Sequence, residues 1–270
     1  MFIVGSSQVG VLNSTFINEY VSKSHPRVIV YNIAEAADTP LRRASALNDI
    51  ESAKPSLLVY GIGYRDFLEK TTVATPLPDV HQIFNNLFTI GNTNSVVLQN
   101  PKLITLEAIR EFSEKNSEFS NNLFRDTRGF QAYTPFFPIN VTEVSIINNE
   151  PDLSRLDLPP SDFHITMPDE NEQLKSLDFM IDELQHKNIK VVIIAVPHYK
   201  AYLESLQSTD IQNFDLILQH LSKKHGVTIY DLNEKYSNQN IWHTSTHVAL
   251  NKKSIIYSED VAKMINQAIK

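Results

Sequence analysis

The sequence predicts an α/β protein: a flavodoxin-like, three-layer α/β/α sandwich around a five-stranded parallel sheet. Five short runs rich in β-branched residues are continuously apolar rather than alternating, which is typical of strands covered on both faces. They are FIVG (2–5), RVIVYN (27–32), SLLVYG (56–61), KVVIIAV (190–196) and VTIYDL (227–232). Stretches with helical periodicity separate these runs. Strand–helix alternation with right-handed crossovers is consistent with the strand order 2-1-3-4-5.

Helices are predicted in the connections between the strands. Pro40 suits the first turn of a helix, and Glu259 and Asp260 suit the first turn of the last one. Two further helices present clean apolar stripes before the fourth and fifth strands. The predicted helices are 12–23, 39–53, one around 174–184, one around 211–221, and a last helix that starts near Ser258.

Residues 67–170 interrupt this alternation. They contain many of the prolines, the polar run SEKNSEFSNN and the aromatic patch YTPFFPIN around Tyr133 and Phe137. We expect one domain over 1–270, with 67–170 inserted between the third and fourth strands as a lid over the carboxyl edge of the sheet. Within the insertion, 103–115 is the best candidate helix, and the aromatic patch suits a core more than a sugar platform.

Composition excludes several classes of protein. The net charge is −7 and no basic stripe is present, which argues against a nucleic-acid partner. The chain has no cysteine, so disulfides and thiolate metal sites are excluded. No run approaches the ~18–20 apolar residues of a membrane helix, and no leader is recognisable, so we expect a soluble chain. The sequence indicates neither a compartment nor an oligomeric state.

The first strand stops abruptly on Gly5-Ser6-Ser7, and in open parallel sheets ligands collect at the carboxyl ends of strands. Gly5 and Gly10 have P-loop spacing, but Val11-Leu12 stand where Lys-Ser/Thr is required, and a dinucleotide fingerprint needs a third glycine. A serine helix cap remains open. Glycine is scarce, with seven in the chain, and three of them (Gly5, Gly61 and Gly63) cluster at strand ends. This clustering indicates that the backbone at these strand ends passes close to another group.

Four segments, in order and each at the correct strand end, resemble the SGNH (GDSL-type) hydrolase superfamily, especially its cell-surface sugar O-acyl esterases and acyltransferases. FIVGSSQ is similar to the Gly-Asp-Ser block, with Ser6 in the aspartate place and Ser7 as the implied nucleophile. YNIAEAADTP is similar to the second block through Asn32 and Thr39, with Ala34 and Ala37 replacing its two glycines.

The third and fourth blocks also match in part. YGIGYRDF resembles the Gly-x-Asn-Asp block through Gly63 and Asp66, with Arg65 in the asparagine place. HTSTHVALNKKS supplies His247 of the Asp-x-x-His block, with Thr244 in the aspartate place. The resemblance covers 2–66 and 190–270.

The resemblance implies a serine esterase or O-acyltransferase that acts on acylated carbohydrate and needs no cofactor. A serine hydroxyl needs a base, and imidazole suits that role near neutral pH. Ser7 is then the nucleophile and His247 the base. The N–H groups of Ser7 and Ala37, together with Arg65, are the implied oxyanion donors. Arg65 could instead grip a substrate carboxylate or pair with Asp66.

Thr244 is the main departure, because threonine can orient an imidazole but cannot stabilise its cation. A backbone carbonyl, Asp66 or Glu35 could orient His247 instead. If catalysis has been lost, the chain is an SGNH-like module that binds glycan or a protein partner. A flavodoxin-like nucleotide or flavin binder is a further alternative.

Two other histidines lie close to these segments. His243 has i, i+4 spacing to His247, but HTSTH lacks the glutamate of the zinc-protease pattern, so we expect no metal. His198, just after the fourth strand, could line the pocket or act as a polar cap.

Overall fold

The computed structural model describes residues 1–35, 37–70, 162–249 and 253–269. Strands and α-helices alternate along these ranges, and a 3₁₀ turn (Tyr64–Phe67) follows the third strand. In chain order the elements are β1 (Phe2–Gly5), α1 (Ser7–Gly10), α2 (Ser14–Ser22), β2 (Tyr31–Asn32), α3 (Pro40–Ala44), α4 (Leu47–Ala53), β3 (Leu57–Ile62), β4 (Leu68–Lys70), β5 (Phe163–Ile165), α5 (Glu172–His186), β6 (Lys190–Ala195), α6 (Lys200–Ser205), α7 (Ser208–His225), β7 (Thr228–Asp231) and α8 (Ile255–Ala268).

The central sheet has five parallel strands in the order β2-β1-β3-β6-β7. The predicted fold class and strand order are therefore confirmed, with β6 and β7 as the fourth and fifth predicted strands. Gly5 pairs with Gly61, Gly61 with Ile194, and Ile194 with Tyr230. This register aligns the carboxyl ends of β1, β3, β6 and β7 at one edge.

Helices cover both faces of the sheet. On one face α2 packs against α8, and on the other α5 contacts both α3 and α7. The core on the α2/α8 side is fully buried, as the lack of alternation in the strands predicts; its members include Ile3, Ile17, Val59, Val192, Ile194, Val261 and Ile265. The predicted stripe of α5 is also buried: Leu174, Leu177, Ile181 and Leu184.

The second strand is shorter than predicted. Only Tyr31–Asn32 pairs with β1, whereas 27–32 is apolar enough for a full strand. The side chain of Asn18 accepts from the N–H of Val30 at 2.7 Å and donates to its carbonyl at 2.7 Å. Because the side-chain amide of Asn18 binds both backbone groups of Val30, the pairing of β2 with β1 begins at Tyr31.

Three predicted helix boundaries are wrong. Residues 12–23 contain the shorter α2, whose first turn is capped by Asn13 Oδ1, which accepts from the N–H of Phe16 at 3.0 Å. Residues 39–53 divide into α3 and α4, although Thr39 caps α3 and Pro40 lies in its first turn as predicted. Helix α8 starts at Ile255, and the Ser258 hydroxyl lies inside it and accepts from the N–H of Asn13 at 2.9 Å.

The two ends of the predicted insertion meet. Strand β4 pairs antiparallel with β5, so that Leu68 lies opposite Ile165. Glu69 on β4 accepts from the N–H of Glu172 at 2.6 Å, which ties this ribbon to the start of α5. Residues 71–161 lie outside the described residues, and with them the predicted helix 103–115 and the patch around Tyr133 and Phe137.

None of the helices in the described ranges combines the length and the apolar character needed to cross a membrane.

Candidate active site

The turn that carries Ser7 is compressed against the sheet. Gly5 ends β1 with a φ of 133°, and a Cβ on it would lie 2.4 Å from the carbonyl oxygen of Gly61. Ser6 is extended, and its carbonyl accepts from the N–H groups of Val9 and Gly10, so α1 begins at Ser7. The glycine permits a sharp strand-to-helix turn that presents the Ser7 side chain at the carboxyl edge.

His247 reaches the same edge from the loop between β7 and α8. That loop is closed by a bridge between Trp242 and Val248, and the buried Trp242 ring donates from Nε1 to the carbonyl of Tyr236 at 3.0 Å. The Ser245 carbonyl accepts from the N–H of Tyr199 at 3.0 Å, which fixes the loop to the start of α6.

Ser7 Oγ lies 2.8 Å from His247 Nε2, although the residues are 240 positions apart in the chain. Both side chains are part-buried. A base within hydrogen-bond distance of a serine hydroxyl is the arrangement that nucleophilic catalysis requires.

The other ring nitrogen of His247 faces hydroxyl groups. Nδ1 lies 2.9 Å from Thr244 Oγ1 and 3.1 Å from Thr246 Oγ1. Thr244, which the resemblance puts in the aspartate place, therefore lies within hydrogen-bond distance of Nδ1, and Thr246 is a second partner that sequence reasoning missed. The only signal for Thr246 was its position directly before His247.

The acidic alternatives for orienting His247 have other partners. Asp66 Oδ2 accepts from the N–H of Gly63 at 2.6 Å, as a cap of the 3₁₀ turn. Glu35 lies 3.6 Å from the guanidinium of Arg42. Burial raises the pKa of Asp66 to about 7, despite the hydrogen bond from Gly63.

A second polar pair lies behind Ser7. The Gln8 amide nitrogen is 3.1 Å from His198 Nε2 and donates to the Thr246 carbonyl at 3.1 Å. His198 is fully buried, and burial lowers its pKa to about 3, so the ring is neutral. Gln8 therefore ties the helix of Ser7 to the loop of His247, and His198 serves as a buried polar partner. Sequence reasoning missed Gln8.

Gly63 and Arg65 follow β3 at the same edge. A Cβ on Gly63 would lie 2.7 Å from Gln8 Oε1, so glycine leaves room for the Gln8 side chain. Arg65 is exposed in the 3₁₀ turn, and its charge contributes to lowering the pKa of His198.

The loop after β2 contacts the Ser7 turn through Asn32. Its amide donates to the carbonyl of Val9 at 2.8 Å, and its Oδ1 accepts from the N–H of Ala34 at 3.2 Å. Asn32 therefore holds backbone in place. Ala37 has a φ of 55°, the left-handed conformation that glycine adopts more readily.

His243 and His247 do not share a helix. The N–H of His243 donates to the carbonyl of His247 at 2.8 Å within the loop that ends at Val248. Over the residues with described positions, no group of three His, Asp or Glu side chains is placed to hold a metal ion.

Searches against protein-family models and against curated proteins find no match to this chain.

Proposed function

We propose that this chain is an SGNH-like serine esterase or O-acyltransferase whose nucleophile is Ser7 and whose base is His247. The observation that carries the proposal is the 2.8 Å contact between Ser7 Oγ and His247 Nε2 at the carboxyl edge of the sheet. The SGNH-like order of segments supports acylated carbohydrate as the substrate class.

The first half-reaction forms an acyl-enzyme. As Ser7 Oγ attacks the ester carbonyl carbon, His247 Nε2 takes the hydroxyl proton, and the carbonyl electron pair moves onto oxygen. The tetrahedral intermediate then collapses, the bond to the alcohol oxygen breaks, and His247 returns the proton to that oxygen. In the second half-reaction Nε2 deprotonates water or a sugar hydroxyl as its oxygen attacks the acyl carbon. The bond from that carbon to Ser7 Oγ then breaks, and His247 returns the proton to Ser7 Oγ.

The oxyanion needs donors that are in place before the reaction. The N–H of Ser7 opens α1, where helix geometry provides no partner within the helix. We assign the further donors to the N–H of Ala37 and the guanidinium of Arg65. The positive φ of Ala37 supports the first of these, because the alanine retains a backbone shape that is typical of glycine.

The experiment is labelling with a fluorophosphonate probe, which reacts with an activated serine. Wild type should become labelled on Ser7, and both Ser7→Ala and His247→Ala should abolish labelling. Ser24→Ala and His186→Ala change exposed residues remote from the site in sequence and are matched controls that should label like wild type. Labelling that survives in Ser7→Ala would overturn the proposal.

A second candidate function is a non-catalytic module that binds glycan or a protein partner. The observation that favours it is the pair of neutral hydroxyls at His247 Nδ1, which cannot stabilise an imidazolium as a carboxylate does. Failure of wild type to react with the probe and with simple acetate esters, in a folded protein, would favour this module.

A further inference from the structure

Two threonine hydroxyls lie within hydrogen-bond distance of His247 Nδ1, and their other contacts differ. A neutral imidazole carries its proton on one nitrogen, and the partner of Nδ1 decides which one. As a base toward Ser7, His247 needs a free lone pair on Nε2 and a proton on Nδ1. The group that accepts the Nδ1 proton therefore determines how much of the ring is in the reactive form.

Thr244 is poorly suited to accept that proton. Its Oγ1 already accepts from the N–H of His247 at 3.1 Å and from the N–H of Thr246 at 3.3 Å. A hydroxyl oxygen has two acceptor positions, so the remaining capacity of Thr244 is its own O–H donor. Directed at Nδ1 over 2.9 Å, that donor favours the tautomer with the proton on Nε2, which is unreactive toward Ser7.

Thr246 has the complementary property. Its Oγ1 lies 3.1 Å from Nδ1, and within the described chain no backbone N–H occupies that oxygen. The residue is 1% exposed, so water does not compete freely for the hydroxyl. Its N–H donates to Thr244 and its carbonyl accepts from Gln8, which holds the backbone on both sides of a stiff β-branched side chain.

We propose that Thr246 is a positioning residue that accepts the Nδ1 proton of His247 and so maintains the reactive tautomer. The tautomer of the His247 ring can be assigned whether or not the protein is an esterase. The catalytic role of Thr246 rests on the proposed function. Thr244 then acts mainly as the cap that shapes the loop, and Gln8 keeps Thr246 in register with the helix of Ser7.

The test is nitrogen NMR of the histidine rings in the intact protein, with the His247 signals assigned by their loss in His247→Gln. We expect Thr246→Val, which is nearly isosteric, to shift His247 toward the tautomer with the proton on Nε2. Thr246→Ser should restore the wild-type signals, and Thr228→Val, at an exposed strand position, should leave them unchanged. Fluorophosphonate labelling of Thr246→Val should be slower by about tenfold.

The outcomes separate this inference from the proposed function. A tautomer shift in Thr246→Val without any labelling of wild type supports the role of Thr246 and overturns the esterase. An unchanged tautomer in Thr246→Val, or the same shift in Thr244→Val, overturns the role of Thr246 even if Ser7 is labelled.

Discussion

His247 and His225 are held by opposite kinds of partner. Among the described residues, the hydroxyl groups of Ser7, Thr244 and Thr246 lie within hydrogen-bond distance of the His247 ring. The ring of His225 lies between two carboxylates: its Nε2 is 2.6 Å from Asp178 and its Nδ1 is 3.0 Å from Asp182. The His225 side chain is 1% exposed, and the contacts join α5 to α7.

Hydroxyl partners suit a ring that exchanges a proton, whereas the carboxylate partners of His225 suit a ring that holds α5 and α7 together. Each ring nitrogen of His225 lies within hydrogen-bond distance of a carboxylate, so the ring bridges Asp178 and Asp182 and links α5 to α7. Hydroxyls can donate or accept, so the hydroxyl groups beside His247 are compatible with either tautomer of a neutral ring. Carboxylates therefore contact the His225 ring, whereas hydroxyl groups contact the His247 ring.

The strongest test of the difference between the two histidines is to place the same substitution at both. We expect His247→Gln to lower probe labelling by at least about 10³-fold while leaving the free energy of unfolding nearly unchanged. His225→Gln should label normally but lose about 2–3 kcal/mol of stability, because the buried ring that bridges the carboxylates of Asp178 and Asp182 is lost. Urea unfolding and labelling of both variants are the measurements. Loss of labelling in a folded His225→Gln would show that the two regions are not separate.

Two aspartates extend the comparison. Asp66 lies at the candidate site with a backbone N–H as partner, and burial raises its pKa to about 7. Asp178 is one of the two carboxylates that contact His225. There burial would raise the pKa, but hydrogen bonds from His225, Lys224 and His220 outweigh burial and hold the pKa below its ordinary value.

The two shifts predict opposite pH effects on stability. A raised carboxyl pKa means that the folded state binds the proton more tightly, so Asp66 favours folding at about pH 4 and this contribution is lost as the pH rises to about 7. Asp66→Asn lacks this loss, so its free energy of unfolding relative to that of wild type should rise by up to about 4 kcal/mol between about pH 4 and about pH 8.

Asp178→Asn is the control with the opposite sign. A lowered pKa gives stability that is present above about pH 4 and lost below it, so this variant should be weakened at neutral pH and approach wild type in acid. Urea unfolding at several pH values tests both variants. Parallel pH profiles for wild type and Asp66→Asn would contradict the assignment of Asp66.

A carboxylate introduced beside His247 tests whether the kind of partner limits the reactivity of this ring. In Thr244→Asp, one oxygen can keep the backbone N–H groups of Thr246 and His247, and the other can accept the Nδ1 proton and stabilise the imidazolium. We expect labelling to accelerate by about tenfold. In that background Thr246→Val should have little further effect. Slower labelling in a folded Thr244→Asp would contradict the view that neutral partners limit His247.

Most of the fold could be predicted because continuous apolar runs specify buried parallel strands almost alone. The boundaries that failed depend on single polar side chains. Asn18 binds the backbone groups of Val30 and shortens β2, and Asn13 caps α2, which starts two residues after the predicted start. Such side-chain-to-backbone bonds depend on tertiary geometry, which periodicity does not report.

The candidate site could be predicted in part. Ser7 and His247 follow strands of one parallel sheet, so their meeting could be expected from the order of elements. Gln8 and Thr246 could not be found in this way, because their roles consist of contacts between loops from the two ends of the chain. The orienting group of His247 was left open for the same reason.

The smallest expected effect concerns the loop after β2, where Ala37 has a φ of 55°. An alanine in this conformation costs roughly 1–2 kcal/mol, whereas glycine avoids that cost but gains freedom in the unfolded chain. Ala37→Gly should therefore be more stable by about 0.5 kcal/mol and should label at the wild-type rate, because the N–H is retained. Ala34→Gly, at a buried position without a positive φ, is the matched control and should lose about 1 kcal/mol. Equal losses in both variants would show that the Ala37 backbone is not strained, and would remove the support that its shape gives to an oxyanion donor.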